Sequence, residues 1–182
     1  MPHIALPEGL PGISSAFAFR PETAKPMRAL AHQLLHAPNS LTPAERELIA
    51  AYVSSRNDCF FCATSHGAAA TAHFGDPSVV ACVTENYLLA PVSAKLKALL
   101  QIAGKVQRGG KFVTDTDVNQ ARTQGATDVE IHDTVLIAAA FCMFNRYVDG
   151  LDTMQPRDPA LYVEMGKHLA EHGYAEPSGI RS

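Results

Sequence analysis

The chain has 182 residues, 47% hydrophobic and 18% charged, with 15 basic against 18 acidic side chains for a net charge of -3. That length suits one domain with a full core, and the near-balanced charge supplies no electrostatic footprint for nucleic acid. The longest apolar run, VLIAAAFCMF from Val135, is about half of a bilayer span, and the start MPHIALPEGLPG lacks the pattern of a secretory leader. The expectation is a soluble, cytoplasmic protein that engages no membrane.

Residues 1–22, with Pro2, Pro7, Pro11 and Pro21, read as an extended N-terminal arm, and residues 23–182 as a single all-α domain of about seven helices. A first helix is expected from about Thr23 to His36, with Met27, Leu30, Leu34 and Leu35 on one face. LTPAERELIAAYVSSRN opens with Thr42 as N-cap, Pro43 at the first helical position and Glu45 three residues after the cap, a capping box. After a turn at Asn57–Asp58, Asp58 is expected to cap a helix from Cys59 to about His73, closed by Gly75. Asp76–Pro77 starts another that ends near 90–93, and Ser93 caps AKLKALLQIAGKVQRGG. TDTDVNQARTQGA reads as a short helix. Thr127 and Glu130 repeat the capping pattern before a helix of about twenty residues, and a last helix from about Pro159 to His172 precedes a polar tail. Strand signals are nearly absent.

Four cysteines in a chain without a leader argue against a secreted disulfide scaffold. Cys82 and Cys142 stand alone in apolar surroundings and read as core. NDCFFCATSHG is different. On a helix Cys59, Cys62 and His66 have i, i+3, i+7 spacing and share one stripe in the first two turns. The positive end of a helix stabilises a thiolate, and a histidine one turn on is within reach of its proton. A preceding capped helix, rather than a strand, excludes the thioredoxin arrangement. Zinc wants four ligands and this stripe supplies three, with His73 or Cys82 as candidates for the fourth. The residues thus favour a redox dithiol over a metal site or a structural pair. Glu47, on the helix before the turn, either faces this stripe or is solvated surface like Glu45 and Arg46; spacing leaves both open.

With those residues in view, ERELIAAYVSSRNDCFFCATSHG resembles the core motif of the alkylhydroperoxidase D (AhpD)-like proteins of the carboxymuconolactone decarboxylase superfamily. The pattern is a Glu, eleven residues, then Cys-x-x-Cys-x-x-x-His, falling here on Glu47, Cys59, Cys62 and His66 within residues 42–75. AAAFCMFNRYVDGLD further resembles a subgroup of peroxidase-related proteins. The resemblance implies an all-α homo-oligomer (dimer, trimer or hexamer) with no prosthetic cofactor and no metal. It implies that Cys62 is the buried thiolate attacking a hydroperoxide, activated by Glu47 and His66. Cys59 would be the more exposed resolving thiol, exchanging with an external thiol or dithiol reductant. In the lipoamide-coupled enzymes a His precedes the second cysteine; this chain has Phe61. The decarboxylase branch generally lacks the cysteine pair, so lactone decarboxylation is not expected. The expected function is alkyl hydroperoxide reduction in antioxidant defence. The alternatives are a protein disulfide reductase feeding a separate peroxidase, or a non-catalytic metal-binding or redox-sensing module.

Asn145, Arg146 and Asp149 interrupt the apolar helix and read either as a site mouth or subunit contact or as an ordinary helix end. His132 reads as surface and Tyr52 as core. Of Phe60 and Phe61, one should pack in the core and the other could line an apolar entrance.

Overall fold

A computed structural model describes residues 1–174, and within them the fold is all-helical, as expected. The order is α1 (Ile13–Phe19), α2 (Pro21–Leu35), α3 (Pro43–Arg56), α4 (Phe60–Phe74), α5 (Pro77–Asn86), α6 (Ala94–Arg108), a 3-10 turn (Gly110–Phe112), α7 (Asp115–Thr123), α8 (Asp128–Gly150) and α9 (Pro159–His172). Among the described residues there are nine α-helices rather than about seven. The largest departure lies in the arm. Residues 1–12 lack regular structure, but Ile13–Phe19 is helical with Ser15, Ala16 and Phe17 buried, and α2 already starts at Pro21. The prolines that suggested an extended segment sit before α1 and at the first position of α2, where a missing N–H costs nothing. α5 stops at Asn86 instead of running to 90–93.

Start signals explain most boundaries. Thr42 and Glu45 form the full capping box of α3, Thr42 N–H donating to Glu45 Oε2 at 2.9 Å and Glu45 N–H to Thr42 Oγ1 at 3.2 Å. Thr127 with Glu130 does the same for α8, and Ser93, Asp76 and Asp158 accept from the first turns of α6, α5 and α9. α3 is the central helix: Arg46 to Ser54 are all buried. α4, α5, α6 and α8 pack around it, and α9 covers the outer face of α4. There Gly166 lies so close to Ala68 that a Cβ would come within 2.5 Å of the Ala68 carbonyl carbon. Two apolar clusters result: a large one around Leu48, Ile49, Leu99, Ile102, Ile137 and Phe141, and a small one of Cys59, Phe61, Cys62, Val148 and Tyr162. Among the described residues no helix is long and apolar enough to cross a membrane.

Candidate active site

The site begins at the break between α3 and α4. Asp58 takes a left-handed backbone with φ of 56°. Its N–H donates to the Ser55 carbonyl at 3.2 Å, and the Cys59 N–H donates to the Ser54 carbonyl at 3.1 Å. These two bonds are the Schellman closure of α3, with aspartate in the place glycine usually takes. Cys59 is also the N-cap of α4, its carbonyl accepting from Ala63 N–H at 2.9 Å. The sequence expectation had Asp58 capping a helix that began at Cys59. Instead Asp58 closes the preceding helix, and α4 starts at Phe60.

Cys59 and Cys62 therefore occupy the N-cap and the third helical position, the two positions that a capping box links. The Cys59 S–H donates to the Cys62 sulfur. That bond, helped by the His66 ring and the Asn145 side chain, holds the Cys62 thiol below its ordinary value against the opposing effect of burial. The same bond, with burial, pushes the Cys59 thiol up. One sulfur is thus prepared to ionise and the other to stay protonated.

Neither sulfur is open to solvent: Cys59 is 0% and Cys62 3% exposed. The resemblance implied a more exposed Cys59, and in this chain that is not so. Phe61, Val148 and Tyr162 enclose the pair. Tyr162 stands edge-on to Phe60 and Phe61, and the Arg157 guanidinium lies 3.8 Å over the Phe60 ring. Phe61 is packed core, filling the space a side chain at Gly12 would need.

α3 delivers Glu47 to the same place. Its carboxylate is 2% exposed, with Oε2 2.8 Å from His66 Nδ1, and His66 is 12% exposed. Arg46 is buried as well, its guanidinium donating to the Leu34 carbonyl at 3.0 Å. Neither is the solvated surface that Glu45's company suggested. The four residues singled out from the sequence, Glu47, Cys59, Cys62 and His66, are thus brought together on α3 and the start of α4.

A fifth polar group was not foreseen. Tyr174, just after α9, donates its hydroxyl to Glu47 Oε1 at 2.5 Å and places that oxygen 3.1 Å from His66 Nδ1. Its ring stacks on the imidazole at 5.7 Å. Burial, then the Glu47 charge, pushes its phenol well above the ordinary value, so it stays protonated. Its local sequence, in what read as a polar tail, carries no mark of this; the contact exists only in three dimensions.

Asn145 is 1% exposed. It accepts from Asn57 Nδ2 at 2.7 Å and donates to Ser54 Oγ at 3.0 Å. With Asn57, Arg146 and Asp149 it lines a cleft of about 380 Å³, so it is no ordinary helix end. Arg146 and Asp149 are exposed there, bonded to the Cys142 carbonyl and Gln155. His132 is exposed and Tyr52 is core, as read. A second cavity, of about 850 Å³, opens on the other side of the site, between Phe17, Arg28, Phe61, His66, Met165 and Tyr174. Among the described residues no group of three or more His, Cys, Asp or Glu side chains is disposed to hold a metal ion.

Comparison with known proteins places the fold in a family. Residues 21–78 match the carboxymuconolactone decarboxylase family. An uncharacterized peroxidase-related protein from Silicibacter sp. TM1040 is 32% identical, the match covering 82% of this chain and 76% of that one with a TM-score of 0.75. This chain is an AhpD-like member of the carboxymuconolactone decarboxylase family. The alkylhydroperoxidase AhpD core, an uncharacterized peroxidase-related protein from Ralstonia eutropha JMP134, is 28% identical over 87% of this chain and 82% of that one, with a TM-score of 0.77. No curated protein matches the chain. In this AhpD-like member Cys59 is buried, Phe61 is packed and a tyrosine contacts the Glu47–His66 pair.

Proposed function

We propose that this AhpD-like protein reduces alkyl hydroperoxides through a Cys59–Cys62 dithiol cycle. The observation that carries the reading is geometric: Cys59 and Cys62 lie buried together at the start of α4, one turn before His66, whose Nδ1 is 2.8 Å from the buried Glu47 carboxylate. His66 takes the Cys62 proton, with Glu47 orienting the ring. The thiolate attacks the terminal peroxide oxygen; an S–O bond forms, the O–O bond breaks, and the alcohol leaves with the proton His66 returns. The Cys59 thiol then attacks the Cys62 sulfenic acid, forming the disulfide and releasing water before further oxidation can occur. An external thiol or dithiol returns two electrons and two protons.

Such a cycle needs a compartment that supplies reducing equivalents, which is why the reading places the protein in the cytoplasm. It also takes the protein as a homo-oligomer.

The test is a thiol count on reduced protein before and after one equivalent of cumene hydroperoxide, in wild type and Cys62→Ser. Rapid loss of two thiols with a mass loss of two hydrogens, and no oxidation of Cys59 in the variant, is expected. Unchanged thiols, or loss from the variant at the wild-type rate, would overturn the reading.

A further inference from the structure

We propose that Tyr174 is a positioning residue of the site, one that keeps Glu47 ionised and His66 in the tautomer able to accept a proton from Cys62. This deepens the proposed function and rests on it for the identity of the reacting sulfur.

The Glu47 carboxylate is buried, and each of its oxygens has a partner: Oε1 accepts from the Tyr174 hydroxyl and Oε2 faces His66 Nδ1. A hydroxyl carries one hydrogen. The short contact to Glu47 takes it, so the tyrosine oxygen presents lone pairs to His66 Nδ1 at 3.1 Å. Nδ1 therefore faces two acceptors. The hydrogen bonds close consistently only when Nδ1 carries the proton, which leaves Nε2 of the neutral ring free as the base. Without the tyrosine donor, the buried Glu47 Oε1 loses the hydrogen bond that satisfies it. The carboxylate then takes up a proton at higher pH. A protonated Glu47 donates to Nδ1, reverses the tautomer and occupies Nε2 with hydrogen.

Three features hold Tyr174 in place. Gly173 has φ of 69°, and a Cβ there would come within 2.7 Å of His32 Nδ1 and His36 Cγ, so the bend packs directly on α2. The Tyr174 N–H reaches His32 Nδ1 at 3.3 Å. The phenol ring stacks on the imidazole it serves, at an interplanar angle of 21°. Other charged or titratable groups lie around this pair: Arg46 on α3, His32 and His36 on α2, Cys62 on α4, Asp149 on α8 beyond the sulfur, and Arg28 of α2 with His168, Glu171 and His172 of α9 around the cavity that His66 and Tyr174 line.

The experiment compares Tyr174→Phe with wild type in the rate of iodoacetamide reaction at Cys62 between pH 5 and 9. The product is followed on the Cys62 peptide by mass spectrometry, and far-UV circular dichroism confirms the fold. Loss of one hydrogen bond to a charged group should move the acid limb of the profile up by about one pH unit. Along that limb the rate at a given pH falls roughly tenfold, and the two profiles converge as pH is raised. In a Glu47→Gln background the same Tyr174→Phe change should leave the profile where it is, since the carboxylate it acts through is gone. An unshifted profile, or a uniform fall at every pH, would overturn the proposal. Alkylation needs no peroxide, so failure of peroxide reduction sinks the proposed function without touching this result.

Discussion

Replacing Glu47 by glutamine preserves size and one acceptor, so Tyr174 can still donate to the amide oxygen. The other end of the group changes sign. In the native site the Glu47 Oε2 lies 2.8 Å from His66 Nδ1 in a position only 2% exposed, so solvent cannot substitute for it. An amide nitrogen there donates to Nδ1 instead of accepting, and the ring's proton moves to Nε2, the base position. General-base assistance with the correct tautomer is worth roughly 10²- to 10⁴-fold. The contribution of Cys59 to lowering the Cys62 thiol survives the substitution, and so does the helix N-terminus, which places the expected loss at the lower end, about 10²-fold near neutral pH. Stopped-flow mixing of reduced protein with excess cumene hydroperoxide, read as thiol loss, measures it. A variant rate within about threefold of wild type would refute the coupling of Glu47 to Cys62 through His66, because that range is too small for a lost base.

Two further outcomes concern stability. Although burial opposes it, Lys105 at 2.6 Å, then Thr114 and Gln101, hold the Asp117 carboxyl well below the usual carboxylate range. A carboxyl with a lowered folded pKa adds stability that is complete above its unfolded value of about 3.9 and is lost as pH falls through the folded one. Asp117→Ala should therefore cost about 2–3 kcal/mol at neutral pH and flatten the acid limb of urea unfolding free energy below about pH 4. An equally steep limb in the variant would contradict it. Gly166→Ala inserts a Cβ 2.7 Å from Ala68 Cβ and O. Overpacking of about 1–3 kcal/mol outweighs roughly 1 kcal/mol of helix propensity, so the denaturation midpoint falls. Cys59 also becomes more reactive toward a bulky disulfide reagent as Tyr162 lifts with α9; an unchanged Cys59 rate would show that α9 does not cover it.

What was legible in the sequence was whatever acts over one or two turns. Thr42 with Glu45 and Thr127 with Glu130 fixed α3 and α8 from four-residue patterns, and the Cys59, Cys62, His66 stripe survived into three dimensions. The Asp58 reading failed at the same range. Aspartate caps helix starts but also tolerates the left-handed closure of a preceding helix, and only the tightness of the α3–α4 turn decides between them. Thr114 with Asp117 is a third capping box, with a shorter acid than the pattern usually employs. The burial of Arg46 and Cys59, the docking of Asn145 beside Cys62 and the arrival of Tyr174 at Glu47 depend on helix packing. No periodicity encodes which residue of a distant segment meets which.

The closed surroundings of Cys59 have a kinetic consequence for the proposed cycle. A reductant cannot collide with a sulfur that has no exposed surface; it must wait for the chain to open around Tyr162 and α9. When reductant is scarce, the return half of the cycle then rises in proportion to its concentration, scaled by the small open fraction. When reductant is abundant, every opening is captured, and the rate levels off at the frequency of opening whatever dithiol is supplied. The ceiling on turnover is then a property of the helix packing rather than of the thiol chemistry, and chemically different reductants converge on one limiting value.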